Sequence, residues 1–286
     1  MVVHGFEGSE QITITNSDAD FSITRFVGAE WSLAPLQGPE SAAAHPEHAK
    51  KIAQALYSIG AHHAYAPSPI EFNGKIIRQQ ELNIRIPIGN SIGMSTIALY
   101  RNPAKPADGT LLSRLGDAGL ISAGGCPIIV ATYEEQCVFA HAGRDCLFDR
   151  TYFTSDGKKK GREHESVVDS IFGALEAKHA SEVRVWVFGS IRPEDFIHPF
   201  GNERHGDHNA KLYHHLRRYY PGDCFAHDQA VAVYPDLPRI IREQFVRRGA
   251  ESSQVSLSSA YLPADVSRTF RGGNSARYLM AVVRRS

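Results

Sequence analysis

Apolar and polar residues trade places at every second position in Gln11-Ile-Thr-Ile-Thr15, and Phe21-Ser-Ile-Thr-Arg-Phe-Val27 follows in the same style. That is the period of half-buried strands, so residues 1–40 read as short strands and turns. The period then lengthens. Across Pro46 to Ile59 the apolar residues Ala49, Ile52, Ala53, Leu56 and Tyr57 recur at helical spacing, and Gly60 stands where a helix ends. Strand-like segments return between 75 and 100, including Leu82-Asn-Ile-Arg-Ile86. Two apolar runs, Pro127-Ile-Ile-Val-Ala-Thr132 and Cys137-Val-Phe-Ala140, flank the polar Glu134-Glu135-Gln136 and predict a hairpin. A helical stripe (Val167, Val168, Ile171, Phe172, Leu175) and a buried strand, Val183 to Phe188, come next. Phe196 to Arg218 reads as an irregular, exposed, His-rich stretch, and Leu237 to Arg248 as an amphipathic helix closed by Gly249. Strands near 254–257 and 277–283 end the chain. Strands outnumber the helices set between them, which predicts an α+β domain of layered mixed sheets.

The hairpin matters because of what stands at its open ends. Ser122-Ala-Gly-Gly-Cys126 enters it and His141-Ala-Gly-Arg144 leaves it. A hairpin returns the chain on itself, so Cys126 and His141 are expected side by side. A thiol beside an imidazole serves as a nucleophile and its base, or as part of a metal site. A buried structural Cys and a merely hydrogen-bonded His are the ordinary alternatives.

Composition narrows the setting. The 286 residues carry 31 Lys plus Arg against 31 Asp plus Glu, so no bulk charge pulls toward nucleic acid or an anionic membrane. With 42% hydrophobic residues and no apolar run of membrane-spanning length, the chain reads as a soluble globular protein. Cys126, Cys137, Cys146 and Cys224 lack paired spacing, which predicts reduced thiols and a cytoplasmic location. The N-terminus has no Sec-type signal, while secretion through a specialised machine would need none. Cys137 and Cys146 are expected to pack. Lys158-Lys159-Lys160 reads as a solvated loop.

From residue 41 to the end, the order of motifs resembles the YfiH-like family, often labelled laccase-domain or polyphenol-oxidase proteins, whose members include enzymes acting on purine nucleosides. The counterparts here are the helix from Pro46, Glu71-Phe-Asn-Gly-Lys75, Ala107-Asp108-Gly109, Gly124-Gly-Cys126-Pro-Ile-Ile-Val130, His141-Ala-Gly-Arg144, Gly189-Ser-Ile-Arg-Pro193 and Phe270 to Arg277. The resemblance implies a single YfiH-like domain over 41–286 preceded by an N-terminal β extension, 1–40. It also implies a zinc trio of which Cys126 and His141 are two members. The third, a His in the family, falls on Asn73, and a neutral amide is a poor zinc ligand. The Cys126 turn and the hairpin to His141 also look like the catalytic pair of cytotoxic necrotizing factor-type toxins, which deamidate glutamine.

Two mechanisms follow. Without a cofactor, Cys126 attacks an amide of a protein side chain or small metabolite, and His141 takes its proton. Gly124 and Gly125 then supply oxyanion donors, Asn73 orients the imidazole, and Arg144 and Arg192 meet an anionic group. The alternative is a zinc-dependent purine nucleoside phosphorylase or deaminase, with Cys126 and His141 as ligands and a third ligand drawn from His198, His205, His208, His214 or His215. A catalytically silent binding protein is the third class, and the oligomeric state is unknown from sequence.

Overall fold

In the computed structural model the described residues are 9–14, 21–27, 31–69, 74–77, 83–90, 93–101, 104–148, 166–201, 206–229, 231–264 and 278–285. Their strands are β1 (Ser9–Ile14), β2 (Phe21–Val27), β3 (His63–Tyr65), β4 (Ile76–Ile77), β5 (Asn83–Asn90), β6 (Gly93–Tyr100), β7 (Gly109–Leu112), β8 (Asp117–Ala123), β9 (Ile128–Tyr133), β10 (Gln136–His141), β11 (Arg184–Phe188), β12 (His198–Pro199), β13 (Phe225–Gln229), β14 (Ala232–Pro235), β15 (Val255–Ser256) and β16 (Tyr278–Arg284). The helices are α1 (Pro39–Ala44), α2 (Pro46–Ser58), α3 (Arg144–Leu147), α4 (Val167–Leu175), α5 (Gly206–Tyr219) and α6 (Leu237–Arg247). None of these helices is long and apolar enough to cross a membrane.

The mixed α+β reading holds. A seven-stranded sheet runs β1-β2-β16-β8-β3-β6-β5 and a six-stranded sheet runs β15-β11-β9-β10-β7-β4, with a small sheet β12-β14-β13 beside them. The two large sheets share a core because their strands alternate. On β16, Tyr278, Met280 and Val282 face the shared interior with Val130 of β9 and Phe139 of β10, whereas Leu279, Ala281 and Val283 join the core beneath α1 and α2. Val138 and Ala140 of β10 turn the other way, to the core formed with α4, α5 and α6. Period-two strands thus place one apolar set between the sheets and one under helices on each outer face.

The hairpin forms as predicted, β9 pairing β10 with His141 opposite Ile128. Residues 21–27 pair with the C-terminal strand β16, so this stretch lies within the seven-stranded sheet. The His-rich stretch differs from expectation: residues 206–219 form a helix, not an exposed loop. The reason is a stripe at helical spacing, Asn209, Tyr213, Leu216 and Tyr220, of which Leu216 is fully buried and Tyr213 packs against the helix-side core. The polar Asn and Gly residues that suggest a loop occupy its first turn. Lys158 to Lys160, His205 and Asn73 lie outside the described residues.

Candidate functional site

Three strands and a one-turn helix converge on His141. It is the last residue of β10, and the pairing of β10 with β7 (Ala140 opposite Gly109) sets it across from Asp108. The His141 N–H donates to the Asp108 carbonyl at 2.7 Å. At the other strand, the Ala142 N–H donates to the Pro127 carbonyl at 2.8 Å, which pins the hairpin mouth next to Cys126. Helix α3 begins after Gly143 and turns Cys146 back beneath the ring.

The imidazole consequently has two distinct edges. On one, Nδ1 lies 3.5 Å from Asp108 Oδ1 and 3.4 Å from Cys146 Sγ, while the Cys146 thiol donates to Asp108 Oδ1 at 3.3 Å. Asp108 is fully buried, and its second oxygen accepts the Gly74 N–H at 2.6 Å. On the other edge, Cys126 hydrogen-bonds the ring, and a Cβ built on Gly143 would stand 3.2 Å from His141 Nε2 and 3.4 Å from Cys126 Sγ. Cys126, His141 and Asp108 thus form a thiol–imidazole–carboxylate line. Cys126 is part-exposed, unlike the other three cysteines, so the line opens to solvent at its sulfur end.

Electrostatics favour a charged ring. Burial pulls the His141 pKa down, but the negative charge of Cys126 and the ring's hydrogen bonds to Asp108, Cys126 and Cys146 outweigh it and hold the pKa well above 6.5. Burial pushes the Cys146 thiol up to about 11, against hydrogen bonding to His141, so it stays protonated in neutral solution.

Cys126 sits where the chain crosses from the seven-stranded to the six-stranded sheet. Gly125 has φ of +92°, a left-handed conformation suited to glycine, and its carbonyl accepts the Ile191 N–H at 2.9 Å. The buried Tyr278 hydroxyl lies 2.6 Å from the Cys126 carbonyl and 2.9 Å from that of Gly189. Gly189 also has positive φ, and a Cβ there would come within 2.5 Å of that hydroxyl.

Gly124 and Gly125 form the turn into Cys126. Arg144 opens α3 and pairs with Asp145 at 3.0 Å, while Arg192, close to the Gly125 turn, donates to the Leu262 carbonyl at 3.3 Å. Two members of the site escape sequence reasoning. Asp108 carries no role without the β7–β10 register, and Cys146, expected to pack, does so and also bonds both Asp108 and His141. The available signal for Cys146 is the short helix after Gly143, which folds residue 146 back toward 141.

Zinc, as the family resemblance implies it, needs a third protein ligand beside Cys126 and His141. Among the described residues no third His, Cys, Asp or Glu ligand groups with Cys126 and His141. A different group, Asp108, His141 and Cys146, has its donor atoms within 4.8 Å of one another and could hold a metal ion.

No family model matches the chain, and no curated protein does. Solved structures do. A Bacillus licheniformis hypothetical protein YfiH is 12% identical with a TM-score of 0.59, covering 93% of this chain and 92% of its own. A Neisseria meningitidis protein of the DUF152 family is 12% identical with a TM-score of 0.59, covering 96% and 99% respectively. YlmD from Geobacillus stearothermophilus is 13% identical with a TM-score of 0.56, covering 94% and 93%. At these identities the likeness concerns architecture, and over nearly its whole length this chain has the fold of the YfiH and DUF152 proteins.

Proposed function

We propose that this protein is a cysteine-dependent amide hydrolase of deamidase type, with Cys126 as nucleophile, His141 as general base and acid, and Asp108 as the residue that orients the ring. The observation that carries this reading is the placement of His141 between a buried carboxylate at its Nδ1 edge and the part-exposed thiol of Cys126, whose Sγ borders the Gly143 backbone together with Nε2. Asp108 takes the orienting role that the sequence reading gives Asn73.

The Cys126 proton passes to Nε2, and the thiolate attacks the amide carbonyl carbon to form a C–S bond. The oxyanion is met by main-chain N–H groups of the Gly124-Gly125-Cys126 turn, where glycine allows close approach. Collapse breaks the C–N bond, and the Nε2 proton leaves with the amine as ammonia. Water, deprotonated by Nε2, then hydrolyses the thioester and returns the thiol. Asp108 holds the Nδ1–H tautomer and balances the imidazolium throughout.

The reading is tested by Cys126 alkylation with iodoacetamide at neutral pH, in wild type and His141→Gln, together with ammonia release from Gln-containing peptides and proteins. A drop in alkylation of roughly tenfold or more without His141, and no ammonia from Cys126→Ala, are expected. Equal alkylation in both proteins, or undiminished ammonia release from Cys126→Ala, overturns it. The zinc-dependent nucleoside reading predicts instead ribose-phosphate or ammonia release from adenosine or inosine that a chelator abolishes.

A further inference from the structure

Cys146 is a buried nucleophile that amide hydrolysis does not use, and its chemistry is odd for its place. A thiol is a weak hydrogen-bond donor, so a hydroxyl would serve Asp108 and His141 better if hydrogen bonding were its whole purpose. A thiol between a carboxylate and an imidazole nitrogen is a donor set that a borderline-soft divalent cation selects.

The distances agree. Asp108 Oδ1, Cys146 Sγ and His141 Nδ1 form a nearly equilateral triangle with edges of 3.3, 3.4 and 3.5 Å. Zinc bonds of about 2.0–2.3 Å in tetrahedral geometry set O, N and S ligands about 3.4–3.6 Å apart, so the atoms need to move by only a few tenths of an ångström. The outer shell is built as well. The Gly74 N–H occupies Asp108 Oδ2 at 2.6 Å and leaves Oδ1 turned toward the triangle.

We infer that Asp108, His141 and Cys146 form an inhibitory site for zinc or a similar thiophilic divalent cation, on the opposite edge of the imidazole from Cys126. Binding displaces two protons to solvent, one from the Cys146 thiol and one from Nδ1 of the charged ring, and takes the Nδ1 lone pair so freed. His141 is then fixed with its proton on Nε2, where it can no longer accept one from Cys126. The same ring nitrogen that Asp108 orients for catalysis becomes the metal's ligand, so the loaded and active states exclude each other. The inhibitory consequence rests on the proposed amide hydrolysis; the binding does not.

The test titrates metal-stripped, full-length protein with cobalt(II), reading the thiolate-to-cobalt charge-transfer absorption, and then displaces cobalt with zinc(II). One equivalent is expected to bind with that absorption. Cys126→Ser is expected to retain it, and Cys146→Ser to lose it with affinity weakened roughly 100-fold or more. Circular dichroism checks that each variant is folded. If Cys146→Ser fails to fold, Asp108→Asn must weaken binding in its place. Absorption lost in Cys126→Ser and kept in Cys146→Ser overturns the inference by placing the metal on the nucleophile's side, and so does absence of stoichiometric binding. No substrate enters this readout, so failure of the hydrolase reading and failure of the metal site are separately visible.

Discussion

Replacing Gly143 by alanine probes the Cys126–His141 contact without touching either residue. Gly143 has φ of −61° and ψ of 165°, which alanine adopts freely. Backbone strain is therefore absent, and restricting the unfolded chain favours the variant by about 0.4–1 kcal/mol. The new Cβ, however, would stand 2.8 Å from His141 Cε1 and 3.2 Å from Nε2. Carbon atoms in contact settle about 3.5–4.0 Å apart, so the ring must shift by roughly 0.7–1.2 Å. Its Nδ1 edge is already held by Asp108 and Cys146, and such overpacking costs about 1–3 kcal/mol. The net loss is about 0–2.6 kcal/mol, a fall in Tm of up to roughly 10 °C. Reactivity suffers more, because misplacing a catalytic group by about 1 Å costs on the order of 100-fold. Iodoacetamide alkylation of Cys126, followed by peptide mass spectrometry beside a thermal melt, reads both. A Gly143→Ala protein that alkylates Cys126 at the wild-type rate would refute the claim that this dyad activates the thiol.

Tyr278→Phe removes the hydroxyl held between the Cys126 and Gly189 carbonyls and should lower unfolding free energy by about 1–3 kcal/mol; an unchanged denaturant midpoint contradicts that anchoring role. His141 binds its proton more tightly when folded, so its contribution to stability is complete below about pH 6.5 and is lost as pH rises through the higher native pKa. The wild-type denaturation midpoint should therefore decline above pH 6.5, relative to His141→Gln, and parallel curves would count against a raised pKa. In Cys126→Ala the His141 pKa followed by NMR should fall, since the Cys126 charge helps hold it up.

Much of this architecture is legible locally. The hairpin over 128–141, helices α2, α4 and α6, and strand β11 follow from apolar period and from Gly and polar breaks, which act within a few residues. Helix α5 is not, because its Asn, Asp and His residues mask an apolar stripe whose value depends on the core it meets. The site divides the same way. Cys126 and His141 are found because one hairpin joins them. Asp108 reaches His141 only through a strand pairing made across more than 30 positions, and Cys146 only through a single helical turn that packing must stabilise. Residues joined by register have no mark of their own in the sequence.

Tyr278 belongs to the seven-stranded sheet and grips the carbonyl of Cys126, whereas His141 and Asp108 are carried by the six-stranded one. The nucleophile thus stands at the crossing between the layers, tied to one through Tyr278 and to the other through the hairpin mouth, so its position against His141 responds to how closely the layers lie. Residues remote from the chemistry, such as Phe139 and Met280 in the shared interior, accordingly act as spacers for it. A volume-conserving swap of one apolar side chain for another there would cost less than about 1.5 kcal/mol of stability. It would still register as a change in thiol reactivity, making Cys126 an internal strain gauge for the whole sandwich.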